Sequence, residues 1–374
     1  MSETDLPSPD RVEGAPHPSE TAVLFGQGKA EAAFLDAYTS GRLHHGWLLT
    51  GPRGIGKATL SWRIAKFLLT TPEADDGGLF GDAPPPPENL DTNPEHPVVR
   101  RMMAGAEPGL FVLRRGYDEK TKRLRSVITV DEVRKLKSFF ALSAAEGGRR
   151  VVIVDSADEM NVSAANALLK VLEEPPAKTF LLLVSHQPSR LLPTIRSRCR
   201  ELRLSTLSAD ALNRALQQAE VDGEAAGSEL LSLAAGSVGE AIRLQNLEGP
   251  KLYAAILSVL DGMPRFDRQR ALALAEMTAG RGAEEQRALL FSLIDLVLAR
   301  LARAGLPGLP PPPEAVPGEQ QIFKRLSQDP SQARAWAEVA QEISDRNQHG
   351  LAVNLDPAAL ILDTVFKIQQ TAGG

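Results

Sequence analysis

Apolar positions along this chain follow two different periods. Short unbroken apolar runs occur at Trp47 to Thr50, Val151 to Val154 and Phe180 to Val184. Runs of this length without alternation suit strands buried on both faces of a parallel sheet. Between them the apolar spacing widens toward 3.6, over Lys29 to Thr39, Lys57 to Leu69 and Ala164 to Glu174. Ser163 is placed to cap the last of these helices, and Pro175-Pro176 to stop it. Gly109 to Arg115 and Arg200 to Leu204 add strand character. Ile128 to Asp131 opens a further helix to about Leu142, with Asp131 as its expected cap. Strands alternating with helices predict an α/β domain with a parallel sheet.

Beyond Leu204 the pattern is helical throughout. Ser208-Ala209-Asp210, Gly227-Ser228 and Gly236 to Glu240 open three short helices that end near Asn246. Six longer helical patterns follow, over Lys251–Leu260, Phe266–Thr278, Glu284–Arg303, Gln320–Ser327, Ser331–Arg346 and Pro357–Gln370. The last opens with Asp356 as cap and proline at the first helical position. Pro307 to Pro317 forms a stiff connector, and Thr71 to Pro108 is a loop-rich insertion without periodicity.

With 374 residues the chain is long enough for two or three domains. No run of 18 apolar residues suggests a membrane span. The N-terminal twenty residues are acidic and proline-rich, lack the apolar core of a signal peptide, and predict a disordered tail. A single cysteine, Cys199, excludes an intrachain disulfide and a multi-cysteine zinc site, and points to the cytoplasm. The net charge of −5 gives no overall basic footprint for nucleic acid. The cluster Arg114-Arg115 with Lys120 to Arg125 is either a solvated loop or a local phosphate contact.

The strand at 47–50 runs straight into Gly51-Pro52-Arg53-Gly54-Ile55-Gly56-Lys57 and a helix, the context that defines a P-loop. Gly51, Gly54 and Gly56 let backbone N–H groups turn toward phosphates, and Lys57 reaches the outer ones. A magnesium-binding hydroxyl belongs after the lysine, but Ala58 stands there. Thr59 is one residue further on, a rotation of about 100° that aims its hydroxyl elsewhere. Asp155 ends the second strand at the place where such sheets bind ligands. Ser156 follows it, where a hydrolase needs a carboxylate to orient water; Asp158 and Glu159 lie further along. Gly239 occupies the place on the third lid helix where a basic residue would touch phosphates. Arg198, after a short helix, is either an ordinary ion-pair residue or an arginine finger. His44-His45 has no acidic or thiol partner nearby, and Cys199 suits a small buried hydrophobe.

Four pieces carry a resemblance: Leu43-His44-His45, the P-loop, Asn166 to Lys170 with Leu172 to Pro176, and Leu192 to Cys199. Together they resemble the clamp-loader subunits of bacterial DNA polymerase III, of the AAA+ class, and among them the delta prime type. The resemblance runs from about Leu24 to the C-terminus. It implies a tail at 1–20, a RecA-like domain at 21–205, a helical lid at 206–248 and a helical collar at 249–374. It makes Ser197-Arg198-Cys199 the carrier of a finger that acts on an adjacent motor subunit. It implies gamma/tau and delta subunits, the sliding clamp and primer-template DNA as partners, with no membrane. The gamma/tau motors keep the groups replaced here by Ala58, Ser156 and Gly239, so little or no intrinsic ATP hydrolysis is expected. Gly51, Gly54, Gly56, Lys57, Thr59 and Asp155 then form a degenerate nucleotide site. No cofactor is required there, and weak ATP or ADP binding stays open. Many relatives carry a four-cysteine zinc module where residues 71–108 have no cysteine, so no zinc and no other metal is expected. The alternative is an active clamp-loader ATPase of the gamma/tau type, with Thr59 and Asp158 or Glu159 replacing the missing groups.

Overall fold

The computed structural model describes residues 9, 11–72, 86–118, 120, 123–143, 148–219, 227–278, 280, 282–353 and 355–373. The chain forms two compact units. One comprises Met1–Val221 with Gly236–Gly239, the other Asp222–Ala235 with Glu240–Gly374.

The first unit is built on a five-stranded sheet. Its strands are β1 (Gly46–Thr50), β2 (Leu110–Leu113), β5 (Arg150–Asp155), β6 (Thr179–Ser185) and β7 (Arg200–Arg203), and a hairpin of β3 (Tyr117–Asp118) and β4 (Arg123–Leu124) lies apart. The order is β2-β5-β6-β1-β7, and every pairing in this sheet is parallel. The apolar runs account for the position of the strands. Val151 to Val154 and Leu181 to Val184 are all buried in β5 and β6, as a sheet covered on both faces requires. Helices α1 (Gly28–Thr39), α2 (Lys57–Thr70), α4 (Val130–Ser143) and α5 (Val162–Glu173) accompany the sheet. Of these, α2 packs on β5 and β6, while α4 packs on β2 and on α5. The expected α/β fold with a parallel sheet is therefore present.

Three local expectations change. The cap of α5 is Asn161 rather than Ser163: its side chain accepts from the Ala164 N–H at 2.8 Å, so the helix begins earlier, at Val162. Asp131 lies inside the first turn of α4 and pairs with Arg134 at 2.8 Å, instead of capping. The insertion contains a helix, α3 (Pro97–Met103), which buries Val99 and Met102 and packs on α2. Seven residues are too few for a clear 3.6 period. Residues 73–85 lie outside the described residues.

The expected loose tail is also held from His17 onward. The His17 ring meets Trp62 of α2 edge-on, with centroids 5.6 Å apart. Ser19 is buried, and its carbonyl accepts from Lys66 Nζ at 2.6 Å. Arg63 donates to the Ala22 carbonyl at 3.0 Å.

After α6 (Pro193–Arg196), the first unit continues through α7 (Ala209–Gln218), which is capped by Ser208 as its sequence predicts. The second unit is helical among its described residues, with α8 (Ser228–Ala234), α10 (Gly249–Asp261), α11 (Arg268–Glu276), α12 (Glu284–Ala304), α13 (Glu319–Leu326), α14 (Pro330–Ala352) and α15 (Pro357–Gly373). Between the two runs of chain that make up the second unit, α9 (Val238–Asn246) begins on the first unit's Gly236–Gly239 segment. A buried polar cluster ties helices of the second unit together. Arg300 of α12 donates to Glu319 Oε1 at 2.6 Å and to the Ser232 carbonyl at 3.0 Å. Tyr253 of α10 donates to the same carboxylate oxygen at 2.7 Å, and the Ala315 N–H reaches its other oxygen at 2.7 Å. Burial pushes the Tyr253 phenol upward in pKa, so it stays a neutral donor.

Candidate functional site

The glycine-rich turn read as a P-loop sits where β1 ends and α2 begins. Three of its glycines have positive φ, at +139° for Gly51, +75° for Gly54 and +100° for Gly56, which side chains rarely adopt. Gly56 is the N-cap of the 14-residue α2, with no side-chain cap and no acidic residue in the first turn. Its N–H groups and its dipole thus remain suited to an anion. Gln27 pins the loop by donating to the Ile55 carbonyl at 3.1 Å and the Ser205 carbonyl at 2.8 Å, while accepting from the Ser205 N–H at 3.2 Å.

Lys57 is buried and turned back on its own loop. Its ammonium donates to the Gly51 carbonyl at 2.6 Å and also to the Pro52 carbonyl. Burial pushes it down to about 8, against the opposing pull of Asp158 and Asp155 and with some help from Arg53. The start of α9 closes against the same loop. Ser237 Oγ donates to the Arg53 carbonyl at 2.9 Å, and the Gly239 N–H donates to the Gly54 carbonyl at 3.1 Å. A Cβ on Gly239 would lie 3.0 Å from Gly54 Cα, so a longer side chain there requires this contact to open. Ala58 offers no oxygen, and Thr59 is buried in the first turn of α2.

At the end of β5, Asp155 is followed by Ser156, whose hydroxyl lies 2.9 Å from His186 Nε2 and 3.5 Å from Asp155 Oδ1. Asp158 accepts from the His186 backbone N–H at 2.9 Å, and Glu159 pairs with Arg115 at 2.9 Å. Burial lowers His186 to about 4, aided by the charge of Lys57 and opposed by Asp158. The imidazole is therefore neutral at physiological pH. Gly51, Gly54, Gly56, Lys57, Thr59 and Asp155 lie on the P-loop, on α2 and at the end of β5, around this one end of the sheet. The helix terminus and the glycines fit a phosphate. Orienting water or ligating magnesium needs groups that Ala58 and Ser156 do not carry.

Arg198 lies elsewhere. Arg200 pairs with Trp47, so Arg198 comes before the first rungs of β1 while the P-loop follows the last. The strand's five residues separate them by roughly 15 Å at about 3.3 Å per residue. Three motifs meet here. His45 Nε2 is 2.9 Å from the Leu172 carbonyl at the end of α5. A Cβ on Gly46 would lie 3.0 Å from the Arg198 carbonyl, 3.1 Å from Leu172 and 3.4 Å from Cys199 Sγ. Arg198 pairs with Glu173 at 2.7 Å and donates to the Thr194 carbonyl at 3.0 Å, with its side chain 37% exposed. Arg198 is thus held by a carboxylate of its own chain, the ordinary ion-pair alternative as far as this chain alone extends. Sequence pattern missed Glu173 and His186 as partners; the run Leu172 to Pro176 was the signal for the first. His44 Nδ1 takes up the Gly46 backbone at 2.9 Å, so both histidines have hydrogen-bonding roles. Cys199 packs against the core, and burial pushes its thiol up to about 12. Among the described residues no group of three or more His, Cys, Asp or Glu could hold a metal, and no helix is long and apolar enough to cross a membrane.

Residues 26–208 match the family described as DNA polymerase III, delta subunit. The DNA polymerase III subunit delta' of Pseudomonas aeruginosa is 39% identical over 230 residues, which is 61% of this chain and 63% of that protein. The DNA polymerase III subunit tau of Escherichia coli K12 is 27% identical over 311 residues, 77% of this chain and 44% of the tau subunit. A solved gamma subunit-related protein of DNA polymerase III from Thermotoga maritima aligns with 91% of this chain and 99% of its own, at 15% identity and a TM-score of 0.41. The chain thus spans less than two thirds of the length of these two curated relatives.

Proposed function

We propose that the chain is a delta prime-type clamp-loader subunit in DNA replication, a reading supported by the match of residues 26–208 to the family described as DNA polymerase III, delta subunit. It supports ATP-driven loading of the sliding clamp on primed DNA and does not turn over ATP itself. It joins delta and gamma/tau subunits through the helical region at 249–374, acts in the cytoplasm, and presents Arg198 to a neighbouring motor subunit.

One observation carries this reading: the phosphate cradle and Arg198 lie at opposite ends of β1. An arginine there does not serve its own P-loop, so its charge is available to another chain. The Glu173 pair does not oppose this. Half-exposed pairs are worth about 0–1 kcal/mol. A finger contributes roughly 10³–10⁵ in rate, about 4–7 kcal/mol of barrier. An incoming γ-phosphate therefore outweighs the internal pair.

The rival reading, an active ATPase using Asp158 or Glu159, is weakened by what those carboxylates already do. One holds the His186 backbone and the other Arg115. Any ATP or ADP at the P-loop is held weakly, because Lys57 must first leave the Gly51 and Pro52 carbonyls.

The test uses the reconstituted complex with gamma/tau and delta. Arg198→Ala is expected to slow ATP turnover at the adjoining motor site and to slow clamp loading, while the purified chain alone shows no turnover. Normal loading with Arg198→Ala, or steady hydrolysis by the isolated chain, rejects the proposal.

A further inference from the structure

We propose that Glu173 is the positioning residue for Arg198, setting the direction in which the guanidinium is presented. This rests on the finger reading of Arg198. The two residues stand on fixed backbone. Glu173 is the last residue of α5, whose end is held by His45 on the Leu172 carbonyl at 2.9 Å and by the Glu174 N–H on the Lys170 carbonyl at 3.1 Å. The Arg198 N–H donates to the Ile195 carbonyl at 3.1 Å, and the Arg198 carbonyl packs against Gly46.

A long arginine side chain on such a base still has many rotamers, and ordering it at the moment of reaction slows the step. The contacts with Glu173 and the Thr194 carbonyl select one of them beforehand. Guanidinium carries five donors, so these two contacts leave capacity for an anion. The pair is also partly open, with Arg198 37% and Glu173 43% exposed, so another molecule can reach it. Position on the helix gives a separate reason. A carboxylate in the last turn works against the helix dipole. Lys170 is the basic residue of that last turn, and Arg198 is the cation paired with the Glu173 carboxylate itself, at 2.7 Å.

The reconstituted clamp loader, with ATP saturating and hydrolysis confined to the motor site beside this chain, tests the assignment. Arg198→Ala is expected to lower kcat at that site by about 10³ or more. Glu173→Ala is expected to lower it about tenfold with KM and complex assembly unchanged, and Glu173→Gln to fall between, since it keeps a hydrogen bond but not the charge. Glu173→Asp is expected to match Glu173→Ala, because the shorter side chain withdraws the carboxylate. The double variant is expected to be no slower than Arg198→Ala alone, a coupling that a purely structural role of Glu173 would not produce. If Arg198→Ala has no effect, the finger reading itself fails. If Arg198→Ala is slow while Glu173→Ala and Glu173→Gln run at the normal rate or faster, or the two losses multiply, the positioning role is overturned and the finger stands.

Discussion

The Ser156 hydroxyl and His186 Nε2 lie 2.9 Å apart, joining the residue after the β5 carboxylate to the residue after β6. This bond occupies the hydroxyl that stands where a water-orienting carboxylate would be needed. It also keeps a neutral imidazole beside the buried ammonium of Lys57, which lowers His186 further.

A pH dependence follows from that neutral imidazole. His186 is lowered to about 4 in the folded chain, while an unfolded histidine titrates near 6.5. Below pH 6.5 the unfolded chain takes up a proton that the folded chain refuses. Its contribution is therefore complete above pH 6.5 and is lost as pH falls toward 4, by at most about 3 kcal/mol. Urea midpoints of the native chain and of His186→Gln, measured from pH 7 to pH 4, are expected to converge as the pH drops. Two parallel profiles would show that His186 is not the group responsible.

Gly46 carries no unusual torsion, so its role is steric. Gly46→Ala places a methyl 3.0 Å from the Arg198 carbonyl and 3.1 Å from Leu172. Crowding of this kind costs about 1–3 kcal/mol. Chemical unfolding is expected to show that loss; under the proposed role, the loss in clamp loading should exceed what the stability change alone produces. An unaffected unfolding midpoint would mean that the strand start and the Arg198 segment are more loosely packed than described.

Arg300 and Glu319 form a buried ion pair in the second unit, each less than 10% exposed. Arg300→Met strands the carboxylate among Tyr253 and the Ala315 N–H, and is expected to destabilise by about 3–5 kcal/mol. The paired variant Arg300→Met with Glu319→Gln removes both charges and is expected to recover part of that loss. Thermal unfolding distinguishes the cases; equal damage from the single and paired variants would reject a charge-based account.

The residue pattern was enough to predict the parallel α/β domain and the helical C-terminal region. Unbroken apolar runs bury on both faces of a sheet, and glycines at 51, 54 and 56 admit the positive φ that the turn between strand and helix adopts. It also shows that Ala58 brings no hydroxyl, Ser156 no carboxylate and Gly239 no basic side chain, because a side-chain group absent from the sequence is absent in any fold. It placed Asp131 and Ser163 as caps wrongly, since several neighbouring polar residues can cap and only the helix's packing phase selects one.

Tertiary structure alone decided the pairings. His45, Glu173 and Arg198 are far apart in the chain, and parallel strand register brings them to one end of β1. The turn of Lys57 onto its own loop, and the seat of Gly239 on Gly54, likewise depend on backbone carbonyls whose direction no residue type encodes. Long-range contacts are fixed by how whole elements bury their apolar faces, so they emerge only when every strand and helix has been placed at once.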